Sequence, residues 1–310
     1  MKFKATLTDY GVALLERRFV PAFEKIGKTC HMYLTPRHFI LLHNVLNVNG
    51  VQAIAQFTKE TIFDEYMIQS QNDNCIAVTV DLGLLSRALK SSVNMDGDQL
   101  VVKLVRKGSS ISHNRLPYLT FESKGFRSAI VQDVPISQPL GRADVADIQA
   151  ALDLAQTLPQ TLVQVPDIVK LQALVDRLKN VGEQLDVGVT QYGDLHLNVS
   201  TTSVKIGSEF RKLRVVGVRA DEPAVDPDPN SSTRLQQAIQ RSQASRVRVN
   251  VKHFAKSLQC NLTKPDASFC GISPNNGCLL MMFQYFIPGT RQTDNSLSLH
   301  YRLPVILDET

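Results

Sequence analysis

The sequence predicts an α+β fold written twice, each copy two helices packed on a curved, mainly antiparallel sheet. Two observations carry the prediction. VDLGLLSRAL at 80–89 returns as VNVKHFAKSL at 249–258, an offset of 169. Independently, an offset of 155 sets Phe19 on Leu174, Phe23 on Leu178, Ile26 on Val181 and Gly27 on Gly182. The order strand, helix, several strands, helix, several strands therefore occurs twice. The unequal offsets require extra residues in the second copy.

Lys2 to Thr8 alternates Phe3, Ala5 and Leu7 against Lys2, Lys4 and Thr6, a strand pattern. Val12, Leu15, Phe19, Phe23 and Ile26 then share one helical face, which Pro21 either kinks or restarts. From Cys30 to Asp81 the strand-like runs are CHMYLT, HFILLH, VQAIAQF, IFDEYMI and CIAVTV. In the first repeated helix Asp81 takes the cap position, and Leu82, Leu85 and Leu89 line up opposite Ser86, Arg87 and Lys90. That helix is expected to end near Met95-Asp96-Gly97, before strands LVVKLVRK, LPYLTFES and FRSAIVQDVPI.

The second half restarts with strand TLVQVP and a helix from Pro166 to Val181, with Pro166 suited to the first turn and Gly182 to the end. LDVGVTQ, LHLNVST and VKIGSEF follow as strands. The second repeated helix, expected over Val251–Leu262, is capped by Asn250; Val251, Phe254 and Leu258 lie opposite Lys252, Lys256 and Gln259. CLLMMFQYFI and LSLHYRLPVI close the chain. Residues 137–160 read as a connector with a helical turn or two. Residues 219–245, rich in Pro, Asp, Ser and Gln, read as a mobile loop, too polar to bury a core. The predicted domains are 1–136 and 161–310.

Of 310 residues, 43% are hydrophobic and 20% charged, which describes a soluble globular chain with a real core. Net charge is only +5, from 34 basic and 29 acidic residues, so the charge is compatible with a molecule basic on one face rather than basic throughout. Cys30, Cys75, Cys260, Cys270 and Cys278 form no CxxC pair, suggesting neither a zinc site nor disulfides but buried thiols in a reducing compartment. MKFKATLTDYG lacks the apolar core of a signal peptide, and no apolar run reaches the roughly 18–20 residues of a spanning helix. The expectation is a soluble intracellular protein.

The KIGKTC run contains GKT, but a phosphate loop needs glycine where Ala22 stands, and it must open a helix rather than end one. The seven histidines show no HExxH or HxxxH spacing, and GxSxG, GxGxxG and paired-carboxylate motifs are missing. No enzyme, cofactor or metal is expected. What remains is positive charge at helical spacing: Arg17, Arg18, Lys25 and Lys28; Arg87 and Lys90; Lys170 and Arg177, with Asp176 between them; Lys252 and Lys256. Such a set either follows a phosphate backbone, giving salt-sensitive affinity without sequence information, or simply solubilises the helices.

MKFKATLTD, KIGKTC, LSRALK, IVQDVPI and QYFIP, in that order, resemble the Hus-type subunit of the nine-one-one checkpoint clamp, a heterotrimeric relative of proliferating-cell nuclear antigen. The resemblance runs over nearly the whole chain and departs from the family at 219–245 and after QYFIP. It implies two clamp domains per subunit and three subunits closing a ring around DNA, with the ten cations above facing the channel. It implies a non-enzymatic nuclear platform, with a cytoplasmic pool left open. A clamp loader would place the ring near single-strand junctions, for checkpoint signalling, double-strand break repair and meiotic recombination. By position, Pro117, Tyr118, Leu119, Thr120 and Phe121, and Ser203, Val204, Lys205, Ile206 and Gly207, would be edge strands pairing with the sister subunits. Leu41, Leu42, Val134, Ile136, Pro304 and Ile306 would form a partner pocket under the connector. A homotrimeric replication clamp and an adaptor without DNA contact remain the alternatives.

Overall fold

Alternating burial along the strands sets which side chains face the helices, and that pattern fixes the architecture. The computed structural model describes residues 1–46, 49–92, 99–108, 115–124, 129–221 and 231–307. β1 (Lys2–Leu7) buries Phe3, Ala5 and Leu7. Thr8 then caps α1 (Asp9–Leu14), which continues through a π turn at Leu15–Phe19 into α2 (Val20–Glu24). The wider turn precedes Pro21, whose ring and missing N–H disturb the regular ladder, and helical dihedrals continue through it rather than restarting. There follow β2 (Thr29–Leu34), β3 (His38–His43), β4 (Gln52–Thr58), the short α3 (Lys59–Ile62), β5 (Phe63–Gln69), β6 (Ile76–Asp81), α4 (Leu82–Ser92), β7 (Leu100–Gly108), β8 (Arg115–Lys124) and β9 (Ala129–Pro135).

The connector carries α5 (Arg142–Ala155). The second half comprises β10 (Thr161–Gln164), α6 (Ile168–Leu178), β11 (Gln184–Thr190), β12 (Leu195–Ser200), β13 (Lys205–Phe210), β14 (Val215–Gly217), α7 (Ser231–Gln240) and β15 (Ala244–Asn250). α8 (Val251–Ser257) runs into a 3-10 segment, Leu258–Thr263, before β16 (Ala267–Ile272), β17 (Cys278–Gln284) and β18 (Leu297–Pro304).

The described strands form three antiparallel sheets, ordered β5-β1-β7-β8-β9, β13-β12-β11-β15 and β14-β10-β16-β17-β18-β4-β3-β2-β6. The nine-stranded sheet is a composite. Its β14-β10-β16-β17-β18 part repeats β5-β1-β7-β8-β9, and its β4-β3-β2-β6 part repeats β13-β12-β11-β15. The two parts meet where β18 pairs with β4, from Leu297↔Phe57 to Arg302↔Gln52. One joint between repeats is thus made inside the chain. Its counterparts, β9 and β13, end their sheets.

Helices α1, α2, α4, α6 and α8 pack on one side of these sheets over one apolar core that crosses the joint. Phe19 stacks edge-on against Phe57 at 4.7 Å and lies 5.8 Å from Tyr285, tying the first helix to both halves. A helix also covers the opposite face of each four-stranded part. Val145, Ile148, Leu152 and Ala155 of α5 pack on Tyr33, Ile40, Leu42 and Ile54. In the second half Leu235 of α7 lies over Gly188, where an added Cβ would come within 2.7 Å of its methyl.

Several expectations are corrected. The connector holds a four-turn helix rather than a turn or two, because Val145, Ile148, Leu152 and Ala155 recur at helical spacing. Residues 231–240 and 244–245 of the expected loop are α7 and the start of β15, anchored by Leu235 and Ala238; residues 222–230 lie outside the described residues. The helices expected over 166–181 and 251–262 are shorter, 168–178 and 251–257, the latter tightening into 3-10. Ser86 is buried rather than on the polar face, and the expected helix end at 95–97 lies outside the described residues. β16 had no alternating pattern to mark it, since all its residues are buried. Ile148 of α5 is fully buried against the sheet. Ile148→Ala should cost about 2–5 kcal/mol, read as a lower urea midpoint.

Candidate nucleic-acid interface

The helix layer is phased by side-chain caps. Thr8 Oγ1 accepts from Gly11 N at 2.7 Å, Asp81 Oδ1 from Leu84 N at 2.9 Å, and Asn250 Oδ1 from Lys252 N at 2.8 Å. Asp167 Oδ1 accepts from Val169 N at 2.8 Å and Lys170 N at 3.1 Å. Each cap is worth about 1 kcal/mol and sets where the helix begins, hence which stripe faces inward. Leu82, Leu85 and Leu89 are buried on α4, Val251 and Phe254 on α8, and Leu171, Val175 and Leu178 on α6.

The opposite faces carry the cations. Lys25, Lys28, Arg87, Lys90, Lys170, Arg177, Lys252 and Lys256 are exposed, and the Arg17 side chain is 65% exposed. Arg87 and Arg177 are held alike, each Nε 3.4 Å from a carbonyl one turn back, Gly83 and Ala173. Acidic neighbours dilute the face without cancelling it. Glu16 bonds Arg17 at 3.2 Å, Glu183 lies 3.4 Å from Lys252, and Asp176 bonds Lys179 at 3.0 Å. Exposed pairs of this kind are weak and leave the lysines free to exchange partners. Burial pulls the His43 and His253 imidazoles below their ordinary range, and Lys256 adds to the effect, so both are neutral near pH 7. The positive field belongs to lysine and arginine. This surface can hold a polyanion by charge alone.

Arg18 does not join it. Its Nε donates to Thr263 O at 2.8 Å and its Nη2 to Lys264 O at 3.0 Å, with the guanidinium 5.7 Å from the Tyr285 ring centroid. The carbonyls end the 3-10 segment, where Lys264 turns left-handed at φ 51°. Arg18 therefore clasps the two halves. Arg18→Ala should lower stability by about 2–3 kcal/mol in denaturant unfolding while leaving the salt dependence of DNA binding unchanged.

The expected edges divide. Ser203, Val204, Lys205, Ile206 and Gly207 are exposed, and the strand they enter, β13, ends its sheet. Pro117, Tyr118, Leu119, Thr120 and Phe121 lie on β8, which is interior, pairing with β7 on one side and β9 on the other. The free edge in the first half is β9, missed because apolar alternation does not separate an interior strand from an edge. The available signal was the repeat, since β9 stands to the first half as β18 stands to the second. Val131 on β9 is 59% exposed.

The expected partner pocket is not assembled. Leu41 and Leu42 are fully buried on opposite faces of β3, Leu41 toward the inner helices and Leu42 beneath α5. Val134 is buried in the core, while Ile136, Pro304 and Ile306 are only partly covered. The connector helix α5 covers Leu42 with Val145, Ile148, Leu152 and Ala155.

Asp194, His196 and Glu209 bring ligand atoms within 4.8 Å of one another. The position is already taken by a cation: Arg234 Nη2 lies 2.8 Å from Asp194, and its Nε 3.5 Å from Glu209. Both carboxylates are thus already engaged by the Arg234 guanidinium. Burial pushes the Cys30 and Cys270 thiols up to about 12, far from thiolate chemistry. No helix among the described residues is long and apolar enough to cross a membrane.

Comparison with known proteins places these features in context. Residues 1–291 match the family described as Hus1-like protein. The chain is 27% identical over 269 residues to the checkpoint protein hus1 homolog of Dictyostelium discoideum, covering 86% of this chain and 88% of that protein. It is 24% identical over 298 residues to checkpoint protein HUS1 of Homo sapiens, covering 93% and 99%. Checkpoint protein hus1 of Schizosaccharomyces pombe is 26% identical over 234 residues, covering 73% of each chain. Among solved structures, proliferating cellular nuclear antigen from Entamoeba histolytica superposes with a TM-score of 0.60 over 98% of this chain and 99% of its own, at 10% identity. That last likeness is one of fold.

Proposed function

Because the chain belongs to the Hus1-like family, a family of checkpoint proteins with the clamp fold, we propose that it is one non-enzymatic subunit of a ring closed with two sister subunits around double-stranded DNA. The observation that carries this reading is the unfinished pair of edges. β18 meets β4 inside the chain, while the repeat-equivalent strands β9 and β13 end their sheets at opposite halves. Two unlike edges on one molecule make a head-to-tail contact, which closes into a ring when the rotation permits. Strand addition at both ends also removes exposed sheet edges.

Exposed Arg17 of the π turn, Lys25 and Lys28 just after α2, and the exposed cations of α4, α6 and α8 would then line the hole and hold phosphates without reading bases. The ring needs a separate loader and works as a platform in the nucleus for checkpoint signalling, double-strand break repair and meiotic recombination. Sister subunits are favoured over copies of this chain. The inward face of β18 at the internal joint is Leu297, Leu299, Tyr301 and Leu303. In β9 the matching face includes Gln132, which bonds Ser91 of α4, so a self-joint would bring an amide into an apolar seam.

Co-purification from nuclear extract followed by native mass spectrometry tests the reading. A one-to-one-to-one complex with two clamp-like chains is expected. A stable homotrimer, or an assembly without clamp-like chains, would overturn it.

A further inference from the structure

We propose that Arg234 is a positioning residue that fixes the β13 edge for strand addition, so that α7 governs how readily this side of the ring closes; the consequence for assembly rests on the ring reading above. The evidence is a comparison of the same row of residues in the two repeats. In the first half, Tyr33, Ile40 and Gln56 stand side by side across β2, β3 and β4. α5 covers Tyr33 and Ile40 with apolar side chains, and Gln56 is held by its pairing to Ser298 of β18. In the second half the row is Gly188, His196 and Glu209 across β11, β12 and β13. Leu235 of α7 fills the space over Gly188, and no strand lies beyond Glu209 among the described residues.

The edge strand is held from above instead. Arg234 is 7% exposed and reaches both Asp194, at the entry to β12, and Glu209 on β13, at 2.8 and 3.5 Å. Arg211 bonds the other Glu209 oxygen at 2.7 Å, and His196 Nε2 lies 3.8 Å from Glu209. Burial pushes Asp194 up despite Arg234. Burial would also push Glu209 up, but the Arg211 hydrogen bond and the surrounding cationic groups outweigh it and hold this carboxyl below its usual range. The Glu209 carboxylate is thus charged at neutral pH. A buried ionic contact adds little net stability against an apolar one, but it dictates geometry, since either partner left alone is costly. The apolar cover of the first half sits where β18 already fixes the strand. The ionic cover sits where the strand is free and must be ready before its partner arrives, which lowers the ordering cost of association.

Hydrogen exchange of the full-length chain decides the matter, using Arg234→Met and Glu209→Gln. The second variant keeps the Arg234–Asp194 bridge and weakens the contacts of Glu209 with Arg234 and Arg211, so it serves if the first fails to fold. Protection of amides 205–210 should fall on the order of tenfold, with β4 and β9 unchanged, and association with the co-purifying sister subunits should weaken by a similar factor. Unchanged protection at 205–210, loss spread evenly over the chain, or unchanged association despite lost protection would each overturn the proposal. If the wild-type chain finds no clamp-like sisters, the ring reading fails, while the exchange result still decides whether Arg234 holds the strand.

Discussion

Reversing the two repeat-equivalent charges, Arg87→Glu with Lys256→Glu, should weaken binding of the assembled ring to linear duplex by at least about tenfold near 0.15 M salt. The salt slope should flatten by about two, roughly one unit for each phosphate contact removed. Both side chains are exposed on capped helices whose inward stripes are buried, so the fold should be untouched. Fluorescence anisotropy across a salt series reads both quantities. Unchanged affinity would favour an adaptor that never touches DNA. The Arg18→Ala variant is the matched contrast, because that guanidinium is spent on the Thr263 and Lys264 carbonyls.

The second large effect is at the sheet edge. Val204 and Ile206 are 48% and 38% exposed at β13, which among the described residues has no strand on its outer side. Val204→Asp with Ile206→Asp sets two carboxylates where an incoming strand must exclude water. Desolvating them should reduce assembly with the sister subunits on the order of a hundredfold or more, while the isolated chain melts within a few degrees of wild type. Sedimentation velocity of the mixed subunits measures the first and calorimetry the second. Assembly at wild-type strength would mean that β13 is not a subunit contact.

Much of this architecture was legible in the chain because its physics is local. The stripe Leu82, Leu85, Leu89 and the caps Asp81 and Asn250 announce α4 and α8, alternation announces β1, and apolar runs between polar breaks announce β2 to β6. What stayed hidden depends on neighbours distant in sequence. β16 is buried on both faces and shows no period. β8 and β9 look alike until pairing shows which is interior. α7 lies in a polar stretch whose burial rests on Arg234, Leu235 and Ala238 and on the missing Cβ of Gly188. Among the ten expected channel cations, Arg18 differs from Arg17 only in what lies across the joint, two carbonyls and an aromatic ring. The pocket residues failed for a related reason. Leu41 and Leu42 are neighbours in sequence and therefore face opposite sides of a strand.

Encirclement is tested most directly by loading the purified complex, with clamp loader and ATP, on closed circular and on linear duplex of the same sequence, then raising the salt. Retention on circles at salt that strips electrostatic contacts, together with loss from linear ends that blocked ends prevent, is the expected result. Equal loss from both forms as salt rises would contradict a closed ring and leave only charge holding the protein to DNA.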